Sequence, residues 1–232
     1  MKNSLVAIGF LLLLAMTAYA QEQPKYELSF QYNYVHVNST GTRSIPDPRV
    51  PVVNPLATNP TLTFSIPGFS AHGGTSSFAY NLNEHISGVA EFGGFHNNNI
   101  SDIQIDNTSW SFLFGPRYSF KKRSSRVIPS VHTLFGWTHR SASTELPTLL
   151  VVNPLGTTTT YPGVRIENND TGFSMALGGS LDIKLSEKVA IRPVQLDYYF
   201  VRLDSGHAGN FNDFNHNNLR YQVGVLFRWG NK

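Results

Sequence analysis

The sequence alternates between apolar and polar residues in eight separate segments, and this period of two limits the folds that it can adopt. The clearest segment covers residues 109–120. Its apolar positions are Trp110, Phe112, Phe114, Pro116, Tyr118 and Phe120, and mostly serine, glycine and arginine lie between them. Alternation of this kind predicts a β-strand with one apolar and one polar face.

The other seven segments begin near Tyr26, Phe78, Ile86, Val127, Phe173, Leu196 and Leu219. Each is close to the roughly 9–11 residues that a tilted membrane strand requires. The connections alternate between short links, at 83–85, 121–126 and 185–188, and long ones, near 39–69, 97–107, 141–170 and 204–217. Short turns at one end and long loops at the other are typical of barrels in outer membranes, where the short turns are periplasmic.

The first twenty residues have the features of an export signal. Lys2 precedes an apolar run at 5–16, and Ala18-Tyr19-Ala20 matches a cleavage pattern, which predicts a barrel domain at 21–232 after removal of 1–20. That domain contains no apolar run long enough for a transmembrane helix. The sequence has no cysteine, which excludes disulfide scaffolds, thiolate metal sites and lipoprotein anchors.

The polar face of the segments carries charges of both signs among small residues. These charges are Glu27, Glu91, Asp182, Asp197, Arg117, Lys184, Arg220 and Arg228, whereas the other face is aromatic and aliphatic. A soluble lipocalin-like barrel would place its aromatic residues inside and its charges outside. Only 14% of the residues are charged, below the roughly 25% of soluble domains. We therefore expect an all-β, eight-stranded antiparallel transmembrane up-and-down barrel with short periplasmic turns and four long extracellular loops.

One residue does not fit this assignment. Arg192 has the wrong parity to share a face with Gln195 and Asp197. It would lie at the periplasmic interface, or Pro193 would mark a β-bulge.

The C-terminal segment resembles the assembly signal of bacterial outer membrane barrels. The signal pattern would fall on Gln222, Gly224, Phe227 and Trp229. Together with residues 89–95, 114–118 and 191–198, the chain resembles the OmpA-like transmembrane domain family of small eight-stranded, porin-like proteins. The resemblance implies an outer membrane location and recognition by the barrel-assembly machinery. Because the sequence ends at Lys232, we do not expect the peptidoglycan-binding domain of full-length OmpA proteins.

The lumen charges are the first candidate site. A closed eight-stranded barrel is just wide enough for its side chains to fill it, and buried charges must pair. We expect Glu91 and Arg117, on facing strands, to belong to a network that plugs the lumen, together with Asp182, Lys184, Asp197, Arg220 and Arg228. Such a network could be purely structural.

Three functions remain open. The leading prediction is a non-enzymatic barrel whose long loops bind something outside the cell or shape its surface. A low-conductance ion or small-solute channel is the second. The third is a lipid A-modifying enzyme. His85-Ile-Ser87 resembles the His-x-Ser pair that lipid A deacylases, also eight-stranded barrels, have near the outer rim, but it lies at a periplasmic turn, and His132 is expected to point into the lumen.

The long loops contain a repeated sequence, Val-Val-Asn-Pro-Leu, at 52–56 and 151–155. We expect these loops to be partly extended. His207, Asp213 and His216 lack a defined metal-ligand spacing, and the basic turn at 121–126 indicates no nucleic-acid site. The expected partners are outer membrane lipid and lipopolysaccharide, the assembly machinery and a possible loop ligand, with no cofactor and no nucleic acid.

Overall fold

A computed structural model describes residues 24–38, 41–47, 61–66, 68–97, 105–120, 125–152, 158–204 and 214–231. The strands in these ranges are β1 (Pro24–Val37), β2 (Gly41–Pro46), β3 (Thr61–Ile66), β4 (Phe69–Asn81), β5 (Ile86–Asn97), β6 (Ile105–Ser119), β7 (Val127–Leu146), β8 (Leu149–Val152), β9 (Thr158–Tyr161), β10 (Val164–Lys184), β11 (Val189–Asp204) and β12 (Phe214–Asn231). None of the described segments is a helix with the length and hydropathy to cross a membrane.

Eight of these strands close into one antiparallel barrel, in the order β1-β12-β11-β10-β7-β6-β5-β4. They correspond to the eight alternating segments, so the predicted fold class is confirmed. The first and last strands close the sheet, with register pairs from Pro24 with Asn231 to Val37 with Asn218. Closure gives the backbone of both edge strands a partner, which a sheet in lipid requires.

The two faces of the barrel have the predicted orientation. Large apolar side chains lie exposed on the outer wall, among them Phe30, Phe92, Phe114, Trp137 and Leu177. The inward positions are buried and mostly small or polar. This arrangement is that of a membrane barrel, with an apolar outer band and a polar interior.

Arg192 reaches the lumen because β11 contains a bulge. The register of β11 shifts between Arg192 and Gln195 against β12, and the register of β10 against β11 shifts between Leu181 and Ile183. The extra residue lies beside Pro193, which cannot donate a ladder hydrogen bond. Arg192 is therefore buried on the same side as Gln195 and Asp197, which resolves its parity in favour of the bulge.

Two of the short turns are closed by side chains. The Oδ1 atom of Asn83 accepts hydrogen bonds from the backbone N–H groups of His85, at 2.9 Å, and Ile86, at 2.8 Å. In the turn at 185–188, the Ser186 hydroxyl accepts from the backbone N–H of Val189 at 3.1 Å. The third short link is described only in part, since 121–124 lie outside the described residues.

The long connections contain more strand than the alternation indicates. The predicted loop at 141–170 is largely regular, because β7 continues to Leu146 and β10 begins at Val164. These extensions pair with each other from Leu146 with Val164 down into the barrel wall. Two further hairpins, β2 with β3 and β8 with β9, make both repeat-containing loops partly extended, as expected. The first repeat, at 52–56, and the last part of the second, at 153–155, lie outside the described residues.

Substitution of Gly224 tests the close approach of β1 and β12, the two strands whose pairing closes the barrel. A Cβ atom on Gly224 would lie 2.1 Å from the backbone oxygen of Phe30 and 2.7 Å from the Cα atom of Gln31, both on β1. Because that clash involves backbone, Gly224→Val is expected to prevent closure during refolding in detergent, measured as loss of the band that shifts on boiling in SDS electrophoresis.

Gly88→Val is the matched control, since a Cβ atom there meets nothing within 4 Å. Refolding without cellular machinery separates this steric effect from recognition of an assembly signal. Folding of Gly224→Val with the efficiency of Gly88→Val would contradict the prediction.

Candidate functional site

The periplasmic half of the lumen contains a chain of ion pairs centred on Glu27 and Asp182. Arg117 on β6 binds Glu27 on β1. Arg228 on β12 lies between the two acids, with 3.5 Å from its Nε to Glu27 Oε1 and 3.6 Å from its Nη2 to Asp182 Oδ2. All four side chains are buried. These ion pairs therefore connect four strands, β1, β6, β10 and β12, across the interior.

Arg192 connects this layer to the middle of the barrel. Its Nε and Nη2 atoms donate to the two carboxylate oxygens of Asp182, at 2.6 and 3.1 Å. Its Nη1 atom donates to Gln195 Oε1 at 2.8 Å, and Gln195 Nε2 donates to Asp197 Oδ2 at 3.0 Å. A two-oxygen guanidinium–carboxylate pair fixes the orientation of both groups.

Arg220 occupies the centre of the lumen between two acids. Its Nη1 donates to Glu91 Oε1 at 2.6 Å, and its Nη2 donates to Asp197 Oδ2 at 2.7 Å. His132 Nε2 lies 2.9 Å from the other oxygen of Asp197, so this histidine points into the lumen as expected. Arg220 is 2% exposed, and its guanidinium carbon lies 5.0 Å from the centre of the Tyr199 ring.

The structure changes the details of the expected network. Glu91 and Arg117 both lie in the lumen, yet Glu91 pairs with Arg220 whereas Arg117 pairs with Glu27. Lys184 is only partly buried at the inner mouth, close enough to Arg228 and Glu27 for electrostatic interaction. Arg192 joins the network through the β-bulge at Pro193, which is one of the two placements that the sequence left open.

The outer half of the lumen is closed by apolar side chains. Val35, Leu113, Leu134 and Tyr199 belong to one buried cluster there, and the rings of Phe95 and Tyr199 meet edge to face at 6.4 Å. The Tyr199 hydroxyl bonds to Thr138 Oγ1 at 2.5 Å. A recess of about 30 Å³ at the outer end of this cluster is lined by both apolar and polar side chains, among them Phe95, Thr138 and Arg140, and has room for water.

The four residues that resemble an assembly signal lie on both faces of β12. Gln222 is fully buried in the lumen, and its Nε2 lies 3.3 Å from Thr75 Oγ1. Phe227 and Trp229 are exposed on the outer wall, where Trp229 stacks on Tyr26 with ring centres 6.0 Å apart. Gly224 lies between them at the seam with β1.

The histidine and serine of the enzyme hypothesis are not brought together. Ser87 points into the lumen and donates to Asn81, whereas His85 Nδ1 lies 2.9 Å from the backbone oxygen of Ser119 in the turn region. Within the described ranges, no group of three or more metal-ligating side chains is placed to hold an ion. His207 and Asp213 lie outside the described residues, as does the side chain of His216.

The ends of β7 and β10 form a two-stranded ribbon at the outer rim. We use "the ribbon" for residues 141–146 and 164–169, whose register pairs run from Ser141 with Asn169 to Leu146 with Val164. Arg165 on the ribbon is more than half exposed and lies 2.7 Å from Glu167 and 3.7 Å from Glu145. Its charges therefore face solvent, unlike those of the lumen.

Arg220 is expected to be the most costly lumen charge to remove. Arg220→Met leaves Glu91 and Asp197 buried without their main partner, and the free energy of unfolding should fall by about 3–5 kcal/mol, the usual cost of breaking a buried pair. Denaturant unfolding of the refolded protein in lipid vesicles measures this loss.

Arg165→Met is the matched control, since an exposed ion pair contributes only about 0–1 kcal/mol. In the double variant Arg220→Met with Glu91→Leu, part of the loss should be recovered because one unpaired charge is gone. Equal, small effects of Arg220→Met and Arg165→Met would contradict a stabilising lumen network.

The chain matches one protein family and is similar to several solved structures. Residues 6–227 match the family described as the outer membrane protein beta-barrel domain. Neisserial surface protein A (NspA) is 12% identical, with 91% of this chain and all of NspA covered and a TM-score of 0.52. Ail, the attachment invasion locus protein of Yersinia pestis, is 15% identical, with 89% and 99% covered and a TM-score of 0.44. The N-terminal barrel of Pseudomonas aeruginosa OprF is 13% identical, with 90% and 100% covered and a TM-score of 0.36.

A search of curated proteins finds no match to the sequence. At 12% identity, the likeness to NspA shows the fold alone. The family match covers nearly the whole chain. The chain is therefore a member of the outer membrane protein β-barrel family, located in the outer membrane.

Proposed function

We propose that this protein is a non-enzymatic barrel that holds an interaction surface, its extracellular ribbon and loops, at the outside of the cell. The observation that carries the proposal is the contrast between a filled lumen and a projecting, solvent-exposed ribbon. Loops placed by a rigid scaffold are a common location for binding residues.

The lumen favours a scaffold over a channel. Arg220, Glu91 and Asp197 cross its centre, and the apolar cluster around Tyr199 closes the outer half. Opening a path for ions would separate buried ion pairs, which costs several kcal/mol for each unpaired charge. A channel would therefore need a large rearrangement of the interior.

The ribbon is built to keep one shape. Residues 141–146 and 164–169 continue the ladder of the barrel wall without a register shift, and Thr144 also pairs with Ile105 at the start of β6. A surface held in its binding conformation loses less entropy when a partner binds. Its side chains include both charges and the aliphatic Val164 and Ile166, which suits a partner with mixed polar and apolar groups.

The enzyme alternative has little support. Ser87 and His85 face different surroundings, and Ser87 is buried beside Asn81 and Arg117 on the lumen side. A nucleophile needs its base within hydrogen-bond reach and a place for substrate beside it.

Biogenesis completes the proposal. We assign residues 1–20 as an export signal cleaved after Ala20, and Gln222, Gly224, Phe227 and Trp229 as contacts for the assembly machinery. The supporting pattern is a lumen-facing amide, a glycine at the seam and two exposed aromatic rings on the last strand.

Removal of the ribbon tip tests the proposed function. Ser143 and Glu167 are register partners, so residues 144–166 can be replaced by a two-residue Asn-Gly turn that favours a hairpin. Cells that display this variant should lose roughly tenfold or more in binding to the partner that the wild type captures, as when central contacts of an interface are deleted. Binding is measured on arrays of defined glycans and proteins and on cells of the same strain.

Replacement of 42–65 by the same turn is the control for shortening any loop. Barrel assembly is checked by the boiling-dependent shift in both variants. Retention of all wild-type binding by the 144–166 replacement would contradict a binding role for the ribbon.

Conductance distinguishes the scaffold from the channel. In planar lipid bilayers, the wild type is expected to give no stable single-channel steps, because the ion pairs and the apolar cluster fill the lumen. A porin inserted under the same conditions serves as the control. Reproducible steps from the wild type, altered by Glu91→Gln, would favour the channel.

A further inference from the structure

A groove of about 540 Å³ crosses the lipid-facing wall, on the side away from the lumen network. Its floor includes Gly74 and Ser76 on β4. One side is lined by Phe30 and Tyr32 on β1 and, beyond them, by Val223 and Val225 on β12, and the other by Phe92 on β5 and Trp110 on β6. Gly74 is the register partner of Tyr32 on β1 and of Gly94 on β5. The two glycines therefore lie between the aromatic rings on either side of the groove. We call this feature the wall groove.

The sides of the wall groove are held in place by packing. Phe92 and Trp110 stack with their rings 5.7 Å apart and 14° from parallel. Trp110 lies flat over Gly94, where a Cβ atom would come within 2.7 Å of the indole. The backbones of β1 and β5 are two strand spacings apart, about 10 Å, which leaves room for a single hydrocarbon chain between the rings.

The outer end of the wall groove is polar. His72 precedes Gly74 by two residues, about 7 Å along β4, on the side of the long extracellular connection. His72 bonds to the Tyr32 hydroxyl and packs on the Tyr34 ring with centres 5.2 Å apart. His96 is its register partner on β5 and lies 3.4 Å from Asp106. Imidazole groups donate hydrogen bonds to phosphate and become cationic when protonated.

We propose that the wall groove binds one acyl chain of lipid A in the outer leaflet, with a phosphate of its head group at His72. An apolar slot of one-chain width that ends at imidazole and phenol groups on the extracellular side complements an amphipathic molecule with a phosphorylated head. The position of the groove matches this occupant, since its sides lie in the apolar band and its polar end lies at the outer rim. A flat apolar wall without such a groove would hold no particular lipid molecule, and the surrounding lipids would act only as a solvent.

Slot-filling variants test the proposal. The wild type, purified from outer membranes in mild detergent, should carry one retained lipid A molecule by native mass spectrometry. In the double variant Gly74→Leu with Ser76→Leu, retention should fall by roughly tenfold, as expected when several methylene groups lose contact. A Cβ atom at Gly74 meets only the Gln31 backbone oxygen, at 3.9 Å, so the barrel itself can accommodate the change.

Gly88→Leu, an outward glycine beyond the wall groove, is the matched control and should retain lipid A as the wild type does. The boiling-dependent shift confirms that each variant is folded. Equal retention by the slot-filling and control variants, or absence of lipid A from the wild type, would overturn the proposal. So would a dimer of barrels with no lipid bound, because a second copy would then cover the groove.

A separate experiment tests whether His72 binds a phosphate of the head group. Lipid A with and without its phosphates is added to protein refolded in detergent. The wild type should bind the phosphorylated form roughly tenfold more tightly, an effect of the size of one charge-assisted hydrogen bond. That preference should be largely lost in His72→Ala. Equal binding of both forms by the wild type would overturn the role of His72.

Discussion

Closure of the sheet between β1 and β12 is the constraint on which the other features depend. Lipid offers no hydrogen-bond partner to the backbone of an open edge, so the first and last strands must meet along their length. Closing eight strands then fixes a narrow lumen that side chains must fill. Small residues at the seam, such as Gly224 against Phe30, follow from the same geometry, because the two backbones approach too closely there for a Cβ atom.

The buried charges serve this closed sheet by selecting its register. A shift of one residue would turn every inward side chain toward lipid, where a charge is costly. Arg220 on β12 reaches Glu91 on β5, 129 positions away in sequence, and also Asp197 on β11. Replacing a whole pair of this kind by apolar side chains can be neutral, whereas removing one partner alone is costly. They do penalise every alternative pairing of the strands, since each alternative leaves charges unpaired.

The period of two was enough to predict the eight strands, their faces and the membrane setting, because burial on one face imposes it residue by residue. The partners of the lumen charges could not be predicted, since opposite walls of a barrel meet through its interior and no local pattern records which residues face each other. Arg192 could not be assigned to one face from the sequence, because a bulge breaks the parity on which the prediction relied. The ribbon was expected only as part of a partly extended loop, because polar residues replace the alternation at 167–170.

The wall and the ribbon differ in what sequence changes they tolerate, and this difference bears on function. An inward substitution in the wall affects closure, charge pairing or both, so chemistry there is limited to what fills the lumen. The ribbon inherits its hydrogen bonds from β7 and β10 but contributes nothing to closure, and its exposed pairs, such as Arg165 with Glu167, carry little stability. Its side chains can therefore change without loss of the barrel. A rigid backbone with free side chains is the combination that allows one barrel architecture to present different binding surfaces.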